Sequence, residues 1–293
     1  MKDKICLITG ANSGIGKITA RELAKKGAHV IMLCRNEEKA ERAKEDILKV
    51  CGHDKVDIVL ADLASTEQIR KAAAHINATY PHIDVLNNNA GLLMGSKRET
   101  TEDGFEMTFG VNHLAPFLLT YLLMDKVFAS KRGNILNVSS EAHRIANLDF
   151  NNLQYEKKYG GLKAYALSKL CNLLFTHELA KRLEGTHVVT NALHPGGIAT
   201  GLYEGVPGIF GTIAKLTKPF LPGEEKGAET SIYLATSEEG YTANGKYFKN
   251  KKPSSPTKVA TNDYNARRLW EVSEALLGIR FHPEKKSTGK PSS

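Results

Sequence analysis

An α/β fold, a single-domain doubly wound parallel sheet with helices on both faces, is what this 293-residue sequence predicts. Three observations point there. Short, nearly all-apolar runs alternate with longer stretches of helical periodicity. The first run closes on a glycine-rich turn that opens a helix, and a later run ends in Ser139-Ser140 ahead of a long helix carrying Tyr165 and Lys169. Strand–helix–strand alternation calls for right-handed crossovers, hence parallel strands with helices above and below. One domain is expected over residues 1–282, with 201–225 as a covering segment and 283–293 as a loose basic tail.

Lys4 to Thr9 reads as the first strand, followed by Gly10-Ala11-Asn12-Ser13-Gly14-Ile15-Gly16 and a helix through Ala20, Leu23 and Ala24. Glycines permit the tight turn and the close approach of a pyrophosphate, whose charge the free N–H groups and the helix dipole attract. The fold is then of Rossmann type, with a dinucleotide as ligand. A second strand, Ala28 to Leu33, ends in Cys34-Arg35-Asn36, with no carboxylate where a ribose 2′-hydroxyl would be held. Arg35 can fork onto a 2′-phosphate, which favours NADP(H) over NAD(H), with Lys17 as a helper. A charged helix over 36–50 and a strand from Lys55 to Leu60 lead to Asp62-Leu63. Asp62 suits either an adenine contact or the cap of the helix that starts near Ser65 and runs to about Ala78.

The strand Ile83 to Leu86 enters Asn87-Asn88-Asn89-Ala90-Gly91. A helix from Glu102 to Ala129 follows, then the strand Gly133 to Val138, which delivers Ser139-Ser140 at its carboxyl end, the edge where α/β folds bind ligands. Glu141 to Lys163 is longer than a simple connection and is expected to be functional. Beyond it Leu167, Leu170, Leu173, Leu174, Leu179 and Leu183 recur at helical steps, so Tyr165 and Lys169 share one face of a helix ending near Leu183. Ionising a phenol of pKa ~10 near neutrality needs roughly 4 kcal/mol. A cation ~4 Å away at an effective dielectric of ~20 supplies about that much. Spacing alone does not single the pair out, because Tyr159/Lys163 and Tyr247/Lys251 share it; but Tyr159 precedes Gly160-Gly161, and Tyr247 lies in a short strand running into a charged loop.

The strand Val188 to Leu193 ends in His194-Pro195-Gly196-Gly197-Ile198-Ala199-Thr200, with His194 read as structural. Residues 201–225 combine glycine and proline with Leu202, Tyr203, Phe210 and further apolar side chains, the composition of a lid over a lipophilic substrate. A helix from Glu225 to Leu234, a strand from Lys246 to Phe248 and a helix from Asn262 to Leu276 complete the domain.

Composition narrows the partners. The formal charge of +8 comes from 40 Lys+Arg against 32 Asp+Glu, scattered along the chain, so nucleic acid is not favoured. Cys6, Cys34, Cys51 and Cys171 lack metal or redox spacing, and no metal site is expected. The apolar run from Leu114 to Met124 stops at Asp125-Lys126, short of the ~20 residues of a membrane span. With Met-Lys-Asp-Lys entering a strand directly, a soluble cytoplasmic protein is the expectation.

Taken together, Thr9 to Gly16, Asn88-Asn89-Ala90-Gly91, Asn112, Ser139-Ser140 and Tyr165-x-x-x-Lys169 resemble the motif series of the short-chain dehydrogenase/reductases over nearly the whole chain. Cys34-Arg35, Val111-Asn112-His113-Leu114 and His194-Pro195-Gly196 are similar to the retinol dehydrogenase-like branch. The resemblance implies hydride transfer between NADP(H) and an apolar aldehyde, ketone or alcohol. Tyr165 is then the acid/base, Ser140 rather than Ser139 the carbonyl ligand, Lys169 the ribose ligand and Asn112 part of a proton relay at a helix kink. It also implies cofactor contacts from Asn12, Ser13, Ile15, Asn36, Asp62, Leu63, Asn89, Ala90, Gly91, Pro195, Gly196, Ile198 and Thr200. Asn87 stands where an aliphatic residue is usual, and a local polar network is expected around it. A protochlorophyllide-, steroid- or quinone-type reductase remains open, as do a silent NADP(H)-sensing protein and a peripheral membrane or scaffold protein. A homodimer is compatible with all of them.

Overall fold

The computed structural model describes residues 1–196 and 223–283. Its sheet has eight strands in the order β3-β2-β1-β4-β5-β6-β7-β8. These are β1 (Ile5–Thr9), β2 (His29–Cys34), β3 (Val56–Leu60), β4 (Val85–Asn88), β5 (Gly133–Val138), β6 (Val188–His194), β7 (Tyr247–Lys249) and β8 (Lys252–Ser254). All neighbours pair in parallel except β7 and β8. The sequence reads Asn250-Lys251 as loop; they are the turn of a hairpin, both at positive φ, which returns Lys252–Ser254 against β7. The chain builds outward from β1 to β3, then crosses back to lay β4 on the other side of β1, and that reversal opens a crevice at the strands' carboxyl ends.

Because side chains alternate across a strand, the sheet buries two cores. Leu7, Ile31, Leu86 and Ile135 face one side, covered by α3 (Thr66–Thr79), α4 (Met107–Phe128), α5 (Gly161–Arg182) and α8 (Asp263–Leu277). Ile8, Met32, Leu136 and Leu193 face the other, under α1 (Gly14–Lys25), α2 (Glu37–Cys51) and α6 (Glu224–Thr236). A short α7 (Glu238–Thr242) lies between α6 and β7. The helices start where side-chain caps stand. Asn36 accepts from Lys39 N, Ser65 from Gln68 N and Asn262 from Asn265 N.

Three expectations change. The helix carrying Asn112 begins at Met107 rather than Glu102. The buried Glu106 carboxylate caps it, accepting Thr108 N at 3.0 Å and Phe109 N at 2.6 Å, while Thr100 and Glu106 pair in a bridge before it. At 22 residues α4 is long and apolar enough to cross a membrane by length and composition, yet 83% of its apolar window is buried inside the domain. Asn87 has the register of Ile8 and Leu136 and so turns onto their apolar face, where both its amide atoms are buried without a partner. The polar network belongs instead to Asn88, which faces the opposite side. Its Nδ2 donates to Thr120 Oγ1 and Asn137 Oδ1, and Asn137 in turn reaches Thr176 and Thr190. Cys6, Cys34 and Cys171 are buried free thiols, and Cys51 is half-buried at the end of α2.

Candidate active site

The glycine turn between β1 and α1 needs its glycines for stated reasons. Gly10 and Gly14 take φ values of 66° and 54°, and a Cβ on Gly16 would stand 2.3 Å from the Gly10 carbonyl oxygen and 2.5 Å from Asn89 Nδ2. Ser13 makes no side-chain cap, so the N–H groups of Gly14, Ile15 and Gly16 open α1 without one. Thr9 locks this turn to the end of β4. Its hydroxyl accepts Asn89 N at 3.0 Å and Ala90 N at 2.9 Å, while Asn89 Nδ2 donates to Thr9 O at 2.8 Å. The sequence places Thr9 only at a strand end; the pairing of distant strand ends supplies its task. Burial raises the Cys34 thiol to about 11, although hydrogen bonds from the Ala11 and Asn12 N–H groups pull the other way. Gly10 N donates to Leu33 O at 2.8 Å, which ties β2 to the turn.

At the end of β2 the Arg35 side chain is 72% exposed, and its Nη1 reaches Asp62 Oδ2 at 3.4 Å. Asp62 does not cap α3, the task one reading gave it, because Ser65 does. Its Oδ1 accepts Ala64 N in a local turn, beside the half-buried Leu63. Lys17, expected to help with phosphate, forms an ion pair of 2.8 Å with Asp46 of α2, and Asn36 serves as the α2 cap.

The proton-handling residues converge on the far side of the crevice. Asn112 occupies a π turn, Gly110–Leu114, within α4. It is fully buried, accepting Leu92 N at 2.8 Å and donating to Leu92 O at 2.9 Å and Ser168 Oγ at 3.0 Å. Lys169 Nζ donates to Val138 O at 3.0 Å and lies 5.5 Å from the Tyr165 ring centroid. Gly91 passes against both groups. A Cβ there would meet Lys169 Nζ at 3.2 Å and Asn112 Oδ1 at 3.4 Å. Burial alone pulls the Lys169 ammonium down to about 8. Ser139 donates its hydroxyl to Lys169 O at 2.7 Å. Ser140, half-buried, accepts Ala142 N at 3.2 Å as cap of the turn Glu141–Ile145, which leaves its own hydroxyl proton to give.

The rival tyrosines are placed differently. Tyr159 donates to Glu106 Oε1 at 3.3 Å, and burial with that carboxylate pushes its phenol up to about 12. Tyr247 donates to Glu141 Oε1 at 2.8 Å and is likewise driven upward, by burial and then by Glu141. His194 is 8% exposed and burial lowers it to about 4, so it is neutral at physiological pH. Pro195 and Gly196, the latter at φ 100°, follow β6 at the same edge of the sheet. Ile198, Thr200, Leu202, Tyr203 and Phe210, with most of the expected lid, lie outside the described residues. Among the described residues no cluster of three or more His, Cys, Asp or Glu is placed to hold a metal.

Glu141 braces the serine turn to the edge strands. Burial would raise its carboxyl, but hydrogen bonds from Tyr247, Arg144 and Lys249 outweigh this and hold it at about 2. A folded pKa below the ordinary 4.5 means stability that is complete above that value and lost as pH falls toward 2. Glu141→Gln is therefore expected to cost about 1–2 kcal/mol at neutral pH, after discounting for solvent screening at a partly exposed side chain. Denaturant titrations across pH check this. The gap between the two proteins should close between pH 4.5 and 2, and a gap independent of pH would remove the carboxylate from the brace.

Comparison with known proteins gives the family. The family described as short chain dehydrogenase matches residues 4–207. The chain is a short-chain dehydrogenase. Among curated relatives of this dehydrogenase, human retinol dehydrogenase 13 is 44% identical over 282 residues, covering 94% of this chain and 85% of that one. Human retinol dehydrogenase 12 is 44% identical over 278 residues, with 95% and 87% covered. Among solved structures, a Mycobacterium paratuberculosis protein superposes with a TM-score of 0.76 at 31% identity, covering 96% of this chain and 95% of that one. A short-chain dehydrogenase of Escherichia coli CFT073 solved with NADPH gives 0.70 at 26% identity, with 86% and 98% covered. The dehydrogenase described here is thus an oxidoreductase of a family that binds a nicotinamide cofactor.

Proposed function

We propose that this dehydrogenase uses NADP(H) to interconvert an apolar aldehyde or ketone, of retinal-like or similar lipophilic character, and its alcohol. The observation that carries the chemistry is the meeting of Lys169, Asn112 and Gly91 beside Tyr165 at the carboxyl edge of the sheet. The residues present fit a dinucleotide. The Gly10–Gly16 turn opens on uncapped helix N–H groups, and Asn89, Ala90 and Gly91 line its neighbouring strand end. When bound, the nicotinamide supplies the hydride. The chain does the rest. Tyr165 gives or takes the proton at the carbonyl oxygen, Ser140 donates its free hydroxyl proton to that oxygen, Lys169 holds positive charge beside the phenol, and Asn112 fixes the backbone at Leu92 behind them.

The relatives named retinol dehydrogenases support a lipophilic substrate, and the structural relative solved with NADPH supports the phosphorylated cofactor. Arg35 is the residue assigned to the 2′-phosphate, being exposed at the end of β2 where a carboxylate would select NAD(H). Replacing Arg35 by Asp should lower the preference for NADPH over NADH by about 10- to 100-fold, the worth of a charge-assisted hydrogen bond. Steady-state kinetics with both cofactors read this, and an unchanged ratio removes Arg35 from the phosphate site. NADPH oxidation with retinal, medium-chain aldehydes, aromatic ketones and quinones tests the substrate class. Turnover confined to small polar carbonyls would overturn the lipophilic assignment.

A further inference from the structure

The carbonyl of Val138, the last residue of β5, takes two buried donors: Lys169 Nζ at 3.0 Å and Asn172 Nδ2 at 3.2 Å. The two side chains stand three residues apart on α5, each 3% exposed. A buried ammonium with a neutral carbonyl as acceptor keeps its place only as well as that carbonyl keeps its own. Asn172 is the second hold on it.

The Asn172 Oδ1 and the His113 Nδ1 behind it are both buried without a hydrogen-bond partner, so the Val138 carbonyl is what fixes the Asn172 amide. His113 directly follows Asn112 in the π turn and is 1% exposed; burial lowers it to about 3, so the ring is neutral. Its Nε2 lies 2.9 Å from Ser273 Oγ of α8, whose own proton is donated to Leu269 O at 2.8 Å, so Nε2 is the donor of that pair. Turning the Asn172 amide over would set its oxygen against the Val138 oxygen, so Nδ2 has one orientation toward that carbonyl.

We infer that Asn172 is a positioning residue for Lys169, fixing the carbonyl that holds the ammonium. The inference rests on the proposed function for what Lys169 does in turnover, not for the arrangement itself. Among the described residues, the titratable groups facing this point are Tyr165 on α5 and His113 on α4; the ends of β4 and β5 present Gly91 and Val138, which carry none. Burial is the cause that lowers the Lys169 ammonium. A carboxylate placed at residue 172 would set an opposite charge beside it.

The test follows the Lys169 ammonium by ¹⁵N-lysine NMR across pH in the full chain without cofactor, alongside the pH profile of kcat/KM. In Asn172→Asp the Lys169 titration should move up by about one to three pH units, the effect of an adjacent opposite charge. Asn172→Ser keeps a small polar group but does not reach the Val138 carbonyl. It should displace the Lys169 titration and raise KM for NADPH by about 10- to 100-fold, with a smaller change in kcat, as a misplaced cofactor ligand does. Lys169 titrating as in wild type in both variants, with only the melting temperature lowered, overturns the inference and leaves Asn172 as core packing. A displaced titration in a chain that shows no dinucleotide-dependent turnover upholds it and overturns the proposed function instead.

Discussion

Tyr165→Phe is expected to lower NADPH-dependent turnover by about 10²- to 10⁴-fold, the usual contribution of a positioned general acid, while binding of the cofactor stays near wild type. The side chain is 7% exposed within α5, so the phenyl ring keeps its packing and the substitution removes only the hydroxyl. Lys169 and Ser140 keep their hydrogen bonds with Val138 O and Ala142 N, which do not depend on the hydroxyl removed. Turnover and binding therefore separate. Stopped-flow NADPH oxidation reads the first, and quenching of protein fluorescence by NADPH reads the second. Undiminished oxidation would remove Tyr165 from the chemistry, and lost binding with unchanged melting would make it a cofactor ligand first. Tyr159→Phe and Tyr247→Phe should leave the chemical step intact, since each hydroxyl is donated to a carboxylate, Glu106 or Glu141.

What the sequence made legible follows from how local the cause is. β5 reads as Gly133 to Val138 and folds so, because an apolar run bounded by glycine and a serine pair needs no distant partner to be recognised. The Gly10–Gly16 turn and Arg35 are legible for the same reason: strand, turn and helix occur in one continuous stretch. The π turn at Asn112 is not. It is a change of backbone hydrogen-bond register inside an apolar helix, and the residue types of Gly110 to Leu114 do not encode it. Nor are the tasks of Thr9 and Asn172, whose partners lie on other elements. Asn87 and Asn88 show the limit most sharply. One polar residue is as good as its neighbour in the sequence, and only strand register decides which meets the threonines and which faces an apolar layer.

Gly160-Gly161 carries the second large expectation. Read locally, the pair weakens a helix and keeps Tyr159 off it. In the fold Gly160 is the N-cap and Gly161 the first residue of α5, the helix that presents Tyr165 and Lys169. The chain leaving β4 crosses directly over it. A Cβ on Gly161 would lie 2.0 Å from Met94 O and 2.3 Å from Gly95 O, both backbone atoms that no rotamer change can move aside. Gly160 differs. Its φ is −163°, and a Cβ would meet the flexible Lys163 side chain at an ordinary 3.7 Å. Gly161→Ala should therefore cost roughly 3 kcal/mol by overpacking, whereas Gly160→Ala should stay within about 1 kcal/mol, the difference between glycine and alanine at a cap. Folded Gly161→Ala protein should also lose kcat/KM by about 10²-fold, because a displaced α5 shifts Tyr165 and Lys169 relative to Gly91 and Ser140. Urea unfolding and steady-state kinetics on both variants test this. Equal stability for the two would mean that residues 94 and 95 yield to α5, and the position of the catalytic helix would then be set by its apolar face rather than by this crossing.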